Sequence, residues 1–330
     1  MSRTIAALHE RWPIAGKFEI ARGRKTHADV VVVTISEDGL EGRGEAVPYA
    51  RFGESVEGVC AAIRALAPAI ERGLDRRGLA GSARGAARSA IDLALWDLEA
   101  KRAGRDVAEL AGLERPSTIA TAITISIDAP ESMGDAARAL RERPLLKIKL
   151  AGDGLDLERV RAVRSAAPDP TLWVDANEGW DLATYDALAP RLAELGVAMI
   201  EQPLPEAGDR ALIGRARPVP ICADESAHDA AGIAALADRY DAINVKLDKA
   251  GGLTGAIETI DAARACGLRV VLGCMVATSL SIAPACLLAS RADLVDLDGS
   301  VLLARDREGG ARIADGRLIP PAPELWGGGR

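Results

Sequence analysis

The sequence predicts an α/β protein: a parallel β/α barrel with an α+β segment ahead of it. Three observations carry this. From Thr118 onward, eight short apolar runs alternate with Ala-, Arg- and Leu-rich helical stretches: Ile119–Ile125, Leu145–Leu150, Leu172–Asp175, Ala198–Glu201, Val219–Asp224, Ala242–Leu247, Arg269–Gly273 and Leu294–Leu297. The runs are continuously apolar, as strands buried on both faces must be, and eight of them alternating with helices suit a barrel better than an open sheet. Five successive runs end in an ionisable residue, Lys149, Asp175, Glu201, Asp224 and Lys246, at spacings of 26, 26, 23 and 22 residues, about what a strand, a helix and two short loops consume.

Residues 1–115 have a different texture and read as an α+β domain. Val30–Ile35 is a β-branched strand, followed by the turn Glu37-Asp38-Gly39 and a second strand around Gly42–Val47 that pairs with it as a hairpin. Helices are expected near Ser55–Ala69 and Ser82–Lys101. In the second, Ala87, Ile91, Leu95 and Leu98 share one face, and Gly104 lies just past the end. Residues 116–302 form the barrel. The pattern stops near Leu303, and the Gly/Pro-rich segment 303–330 is expected to return to the first domain.

A chain of 330 residues with 48% hydrophobic content can bury a large core, and with aromatics at only 3% that core must be aliphatic. The net charge of −7 argues against nucleic acid as a partner. The N-terminal stretch has no long apolar region of the signal-peptide kind, and no apolar run approaches the roughly 20 residues of a membrane span. Five cysteines, an odd number without a C-x-x-C pair, point away from disulfides and zinc and towards a reducing cytoplasm.

Parallel strands share their C-terminal face, where a β/α barrel places its active site. Asp175, Glu201 and Asp224 reach that face on consecutive repeats. Any one alone reads as a helix cap or a solvated loop acid. Three in succession, with no histidine or cysteine beside them, suit a hard, oxygen-loving cation, foremost Mg²⁺. Lys147 and Lys149 are two apart on a strand and therefore point the same way, into the barrel mouth. Their mutual repulsion and a nearby divalent cation are expected to depress a lysine pKa, which makes a general base of one of them. Lys246 lies across the mouth from Lys149. Two facing lysines allow a proton to leave one face of a substrate and arrive on the other. Lys249 is expected to cap the loop before Gly251-Gly252.

Asp296 and Asp298 end the last strand on a shared face. They suit a cationic substrate group such as a free amine, and equally a structural bond to loop backbone. Thr124, at the end of the first barrel strand, is placed to contact substrate, as are Cys274 and Met275 after the seventh. Asn177 is placed to orient a metal ligand or water, with Glu225 as a further partner. Cys222, Trp173 and Trp96 read as core, and His9, His27 and His228 show no partner pattern.

The motifs K-I-K (147–149), VDAN (174–177), IEQP (200–203), ADES (223–226) and NVKLDKAGG (244–252), with ARFGES (50–55) and ARSAIDLALWDLEAK (87–101), resemble the muconate-lactonizing subgroup of the enolase superfamily over nearly the whole chain. The resemblance implies a (β/α)₇β TIM-like barrel under an α+β cap. It implies Mg²⁺ on Asp175, Glu201 and Asp224, and Lys149 and Lys246 as an acid/base pair acting through an enediolate stabilised by the metal and Lys147. The D-L-D-G at 296–299 resembles the ammonium-binding site of dipeptide epimerases. The cap segment IARGRKTHAD (20–29) resembles the specificity loop of Ala-Glu epimerases, which places Arg24 or Lys25 to pair with an acidic side chain. The implied activity is epimerisation at the C-terminal residue of a dipeptide, Ala-Glu or a related one, by an isomerase; a homo-oligomer is left open. The alternatives are muconate-type cycloisomerases, o-succinylbenzoate synthases and N-acylamino-acid racemases, none of which needs a site for a free amine. More remote is a non-catalytic binding protein on the same scaffold.

Overall fold

The computed structural model describes residues 3–21 and 23–329. Arg22, inside the cap segment 20–29, lies outside the described residues, as do the two N-terminal residues and Arg330. The chain opens with a three-stranded antiparallel sheet, β1 (Thr4–Ile20), β2 (Gly23–Glu37) and β3 (Leu40–Ala46). The predicted hairpin is β2–β3. Strand β1 was not predicted, because its run of His, Glu, Arg and Trp breaks the apolar alternation that marks a strand. Helices α1 (Val56–Glu71), α2 (Arg76–Leu79) and α3 (Gly85–Ala103) follow, with a further short helix at Val107–Ala111. Ser55 caps α1 by accepting from the Gly58 N–H, and Gly104 ends α3 in the left-handed conformation. Val31, Val33 and Ile35 pack against Ile63, Ile91, Leu95 and Leu98 as a core of their own. Helix α3 lies directly on β3. A Cβ on Gly42 or Gly44 would stand 2.2 Å from the carbonyl oxygens of Ala94 and Ala90, so only glycine allows this approach.

The second part is an eight-stranded parallel sheet: β4 (Ile123–Ile125), β5 (Leu145–Lys149), β6 (Thr171–Asp175), β7 (Val197–Glu201), β8 (Ile221–Ala223), β9 (Ala242–Val245), β10 (Arg269–Gly273) and β11 (Leu294–Asp296). Neighbours in space follow sequence order, and the Ala122 N–H donates to the Val295 carbonyl at 2.8 Å, drawing the first and last strands together. The uneven spacing of the charged residues has a structural cause. The crossovers after β5 and β6 are α-helices of 11 and 13 residues, whereas those after β7 and β8 are seven-residue 3₁₀ segments, Glu206–Leu212 and Ala230–Leu236.

Side-chain alternation along the strands divides the barrel into two environments. Leu146, Ile148, Leu172, Val174, Ile200 and Ile243 face outward to the helices. Leu145, Trp173, Met199, Cys222, Ala242 and Val271 fill the interior as a plug. One inward step further along four of these strands come charged residues, Lys147, Asp175, Glu201 and Asp224, with Asn244 and Gly273 at the same level on β9 and β10, so the apolar plug is the floor of the site. The C-terminal segment, which forms the short hairpin Arg312–Ala314/Arg317–Ile319, returns to α3. There Trp326 donates to the Leu93 carbonyl, and the Gly327 N–H donates to Asp97.

Candidate active site

The floor dictates what stands above it. Lys147 and Lys149 share a face with Leu145, Asp175 follows Trp173, Glu201 follows Met199, and Asp224 follows Cys222, each two residues on. Asp175, Glu201 and Asp224 are buried, and one carboxylate oxygen from each lies within 4.8 Å of the others. The donor set is all oxygen, which fits Mg²⁺.

Four ammonium groups surround this trio. Lys147 Nζ lies 2.7 Å from Glu201 Oε2, 2.9 Å from Asp296 Oδ2 and 3.1 Å from Asp175 Oδ2, and 4.5 Å from the centre of the Trp173 ring. Lys149 donates to Asp175 Oδ2 at 2.6 Å. Across the mouth Lys246 donates to Asp224 Oδ2 at 2.7 Å. The fourth is Lys249, expected in a loop cap. It is buried instead, with its ammonium on Asp224 Oδ1 at 2.6 Å and on the Asn244 carbonyl at 3.0 Å. Its segment folds into a turn of helix, Leu247–Ala250, which carries the side chain back under Asp224.

Facing carboxylates dominate the electrostatics of Lys147 and Lys246. Burial alone lowers the Lys147 pKa, but Asp296, Glu201 and Asp175 outweigh it and hold the group well above its ordinary value. Lys246 is raised as well, burial being overcome by Asp224. For these two lysines the attraction of facing carboxylates prevails over burial. The acids diverge. Burial and Asp175 push Glu201 up to about 8, while Lys149 and Lys147 overcome burial to hold Asp175 at about 2.

A cavity of about 410 Å³ opens above the trio. Thr124, Lys147, Lys149, Asn177, Asp224, Lys246, Cys274, Met275, Asp296 and Asp298 all line it. Asp298 Oδ2 accepts from the Thr124 N–H at 2.7 Å, and burial together with Asp296 pushes its pKa up to about 7. Asp296 Oδ1 is buried with no hydrogen-bond partner among the described residues. Asn177 donates to Glu225 at 3.3 Å, and its own N–H bonds Asp175.

Arg24 is not brought to this lining; Lys25 is. The register explains it. Lys25 stands opposite Phe18, another lining residue, whereas Arg24 stands opposite Glu19, and neither of those two lines the cavity. Of the histidines, His27 lines the cavity, His9 bonds Asp29 and His228 bonds Glu206. Sequence reasoning also passed over Asn244, which donates to Glu201 Oε1 at 2.8 Å. Its signal was available: it precedes Lys246 by two residues and so shares its face. Gly273 makes room for it, since a Cβ there would stand 2.4 Å from Asn244 Oδ1.

The cap closes the cavity from above. Arg51 donates from Nε and Nη2 to the two carboxylate oxygens of Glu178, each at 2.6 Å, and from Nη2 also to Glu206 at 3.2 Å. Buried Asp248, beside the lysine strand, accepts from the Val47 N–H at 2.7 Å.

Residues 2–112 match the mandelate racemase/muconate lactonizing enzyme N-terminal domain, and residues 132–327 match the enolase C-terminal domain-like family. The chain is 45% identical to an L-Ala-D/L-Glu epimerase of Escherichia coli, covering 96% of this chain and 99% of that one. It is 41% identical to an N-acetyl-D-glutamate racemase of a Pseudoalteromonas species, covering 91% and 95%. Among solved structures, an enolase family member from Agrobacterium tumefaciens, with bound sodium and L-Ala-L-Glu, superposes with a TM-score of 0.95 at 46% identity, covering 98% of this chain and 100% of that one. A dipeptide epimerase from Enterococcus faecalis, in complex with Mg and L-Leu-L-Tyr, superposes with a TM-score of 0.88 at 28% identity, covering 99% and 98%. The chain belongs to the mandelate racemase/muconate lactonizing enzyme family of the enolase superfamily.

Proposed function

We propose that this isomerase epimerises the α-carbon of the C-terminal residue of a dipeptide, Ala-Glu or a close relative. The observation that carries the reading is the placement of Lys149 and Lys246 on opposite sides of one cavity, each on a carboxylate of the same buried trio. Asp175, Glu201 and Asp224 hold Mg²⁺, which supplies Lewis-acid stabilisation of a substrate carboxylate as negative charge builds on it. Lys147 adds a fixed positive charge on the same side. One of the facing lysines removes the α-proton, and the other delivers a proton to the opposite face of the planar enediolate. The apolar plug below and the cap above exclude water from that carbanion-like species.

The acidic pair supports a free amine on the substrate. Asp296 Oδ1 is a buried acceptor without a protein partner among the described residues, and Asp298 stands beside it. An ammonium group satisfies both. Racemisation of an N-acylated amino acid is the second reading, favoured by the Pseudoalteromonas relative; such a substrate brings no ammonium to Asp296 Oδ1. The free cysteines support a reducing, cytoplasmic setting.

The test is incubation of L-Ala-L-Glu with the protein and Mg²⁺, followed by separation of the diastereomers. Formation of L-Ala-D-Glu, abolished by EDTA and restored by Mg²⁺, is the expected result. Turnover of N-acetyl-L-glutamate without turnover of any dipeptide establishes the second reading instead.

A further inference from the structure

Gln202 directly follows Glu201, is fully buried and does not face the cavity. Its φ of +33° is a conformation that non-glycine residues adopt only when their surroundings enforce it. The surroundings are specific. The ladder between β7 and β8 ends at the Glu201/Cys222 pair, after which the Gln202 N–H makes one more bond, to the Cys222 carbonyl at 2.9 Å. Beyond that point the Gln202 side chain continues the pairing. Its Oε1 accepts from the Asp224 N–H at 2.9 Å and from the Ser226 N–H at 3.2 Å. Its Nε2 faces the Leu204 carbonyl at 2.9 Å, Ser226 Oγ at 2.9 Å and Tyr240 Oη at 3.0 Å.

The orientation of this amide is forced. Asp209 is a buried acceptor that takes the Ser226 hydroxyl at 2.7 Å and the Tyr240 hydroxyl at 3.1 Å, with Arg239 on its other oxygen at 2.9 Å. Each hydroxyl has one proton, so both can only accept from Gln202. Nε2 must face them, which leaves Oε1 facing the backbone of Asp224. The amide therefore bridges the strand ends that carry Glu201 and Asp224.

We propose that Gln202 is a positioning residue for the metal site, setting the separation of Glu201 and Asp224 from behind. The proposal rests on the reading of the carboxylate trio as the Mg²⁺ site. It is tested by calorimetric titration of Mg²⁺ into metal-stripped protein, comparing wild type with Gln202→Leu, the double variant Ser226→Ala/Tyr240→Phe, and Asp224→Asn as a control. Gln202→Leu is expected to keep the wild-type circular dichroism spectrum and to bind Mg²⁺ roughly tenfold or more weakly, the scale on which partners of metal ligands act. Its Mg²⁺ requirement in turnover should rise by the same factor, while KM for dipeptide at saturating Mg²⁺ stays within about threefold, a split that general destabilisation does not produce. The double variant spares the contacts of Oε1 to the backbone but removes the two hydroxyls that anchor Nε2, leaving only the Leu204 carbonyl on that side, and should weaken Mg²⁺ by about threefold or more. If Gln202→Leu does not fold, the double variant decides. Mg²⁺ affinities within about twofold of wild type in the folded variants overturn the proposal. Wild-type affinity in Asp224→Asn overturns the metal reading itself, and with it this proposal.

Discussion

Lys249 Nζ stands 2.6 Å from Asp224 Oδ1, on the far side of the carboxylate from Lys246, which holds Oδ2 at 2.7 Å. Asp224 is thus gripped from two sides, by one lysine that faces the cavity and one that does not. The pair is buried, and removing one partner of a buried ion pair costs about 3–5 kcal/mol, less here because Lys246 remains. Lys249→Met is expected to lower the melting temperature by several degrees and turnover by roughly tenfold or more, a loss of about 1.4 kcal/mol or more in transition-state stabilisation. Wild-type kcat together with a wild-type melting temperature would show that Asp224 needs only Lys246.

On the proposed reading, Asp298 and Asp296 select a substrate with a free amine. Asp298→Asn is expected to raise KM for a free-amine dipeptide by roughly tenfold or more, the scale of a lost charge-assisted hydrogen bond. The N-acetylated dipeptide should be affected far less, so the ratio of the two kcat/KM values reports the site. An unchanged ratio assigns the pair to loop structure, the role that spacing alone allowed equally.

Asp248 gives a pH signature away from the metal ligands. Burial pushes its carboxyl up to about 7 in the folded protein, while an unfolded aspartate titrates near about 3.9. Between these values the unfolded state releases its proton first, so stability falls as pH rises through the window and the cost is complete above it. Asp248→Asn keeps an acceptor for the Val47 N–H but cannot ionise. Its melting temperature relative to wild type should therefore climb by several degrees from about pH 4 to about pH 7 and then level off. A flat difference across that range would contradict the assignment.

The sequence made most of the site legible because strand alternation and strand-end geometry are local rules. Lys147, Lys149, Asp175, Glu201 and Asp224 could be placed from apolar runs and a period of two. The misses share one cause, side chains whose position depends on how two distant segments meet. Lys249 folds back on a turn of helix to reach Asp224, 25 residues earlier in the chain. Lys25 rather than Arg24 enters the cavity because β1 sets the register of β2, and β1 was itself hidden by its polar composition.

The central claim is that Lys149 and Lys246 serve opposite faces of one α-carbon. Its most direct measurement is α-proton exchange in D₂O, followed by NMR, for L-Ala-L-Glu and L-Ala-D-Glu with Lys149→Ala and Lys246→Ala. Both variants should lose epimerisation by at least about a thousandfold, the scale of general acid–base catalysis combined with loss of a positioned charge. Any residual exchange should be confined to one epimer in each variant, and to opposite epimers in the two. Exchange of both epimers at the wild-type rate in either variant would contradict the two-lysine account.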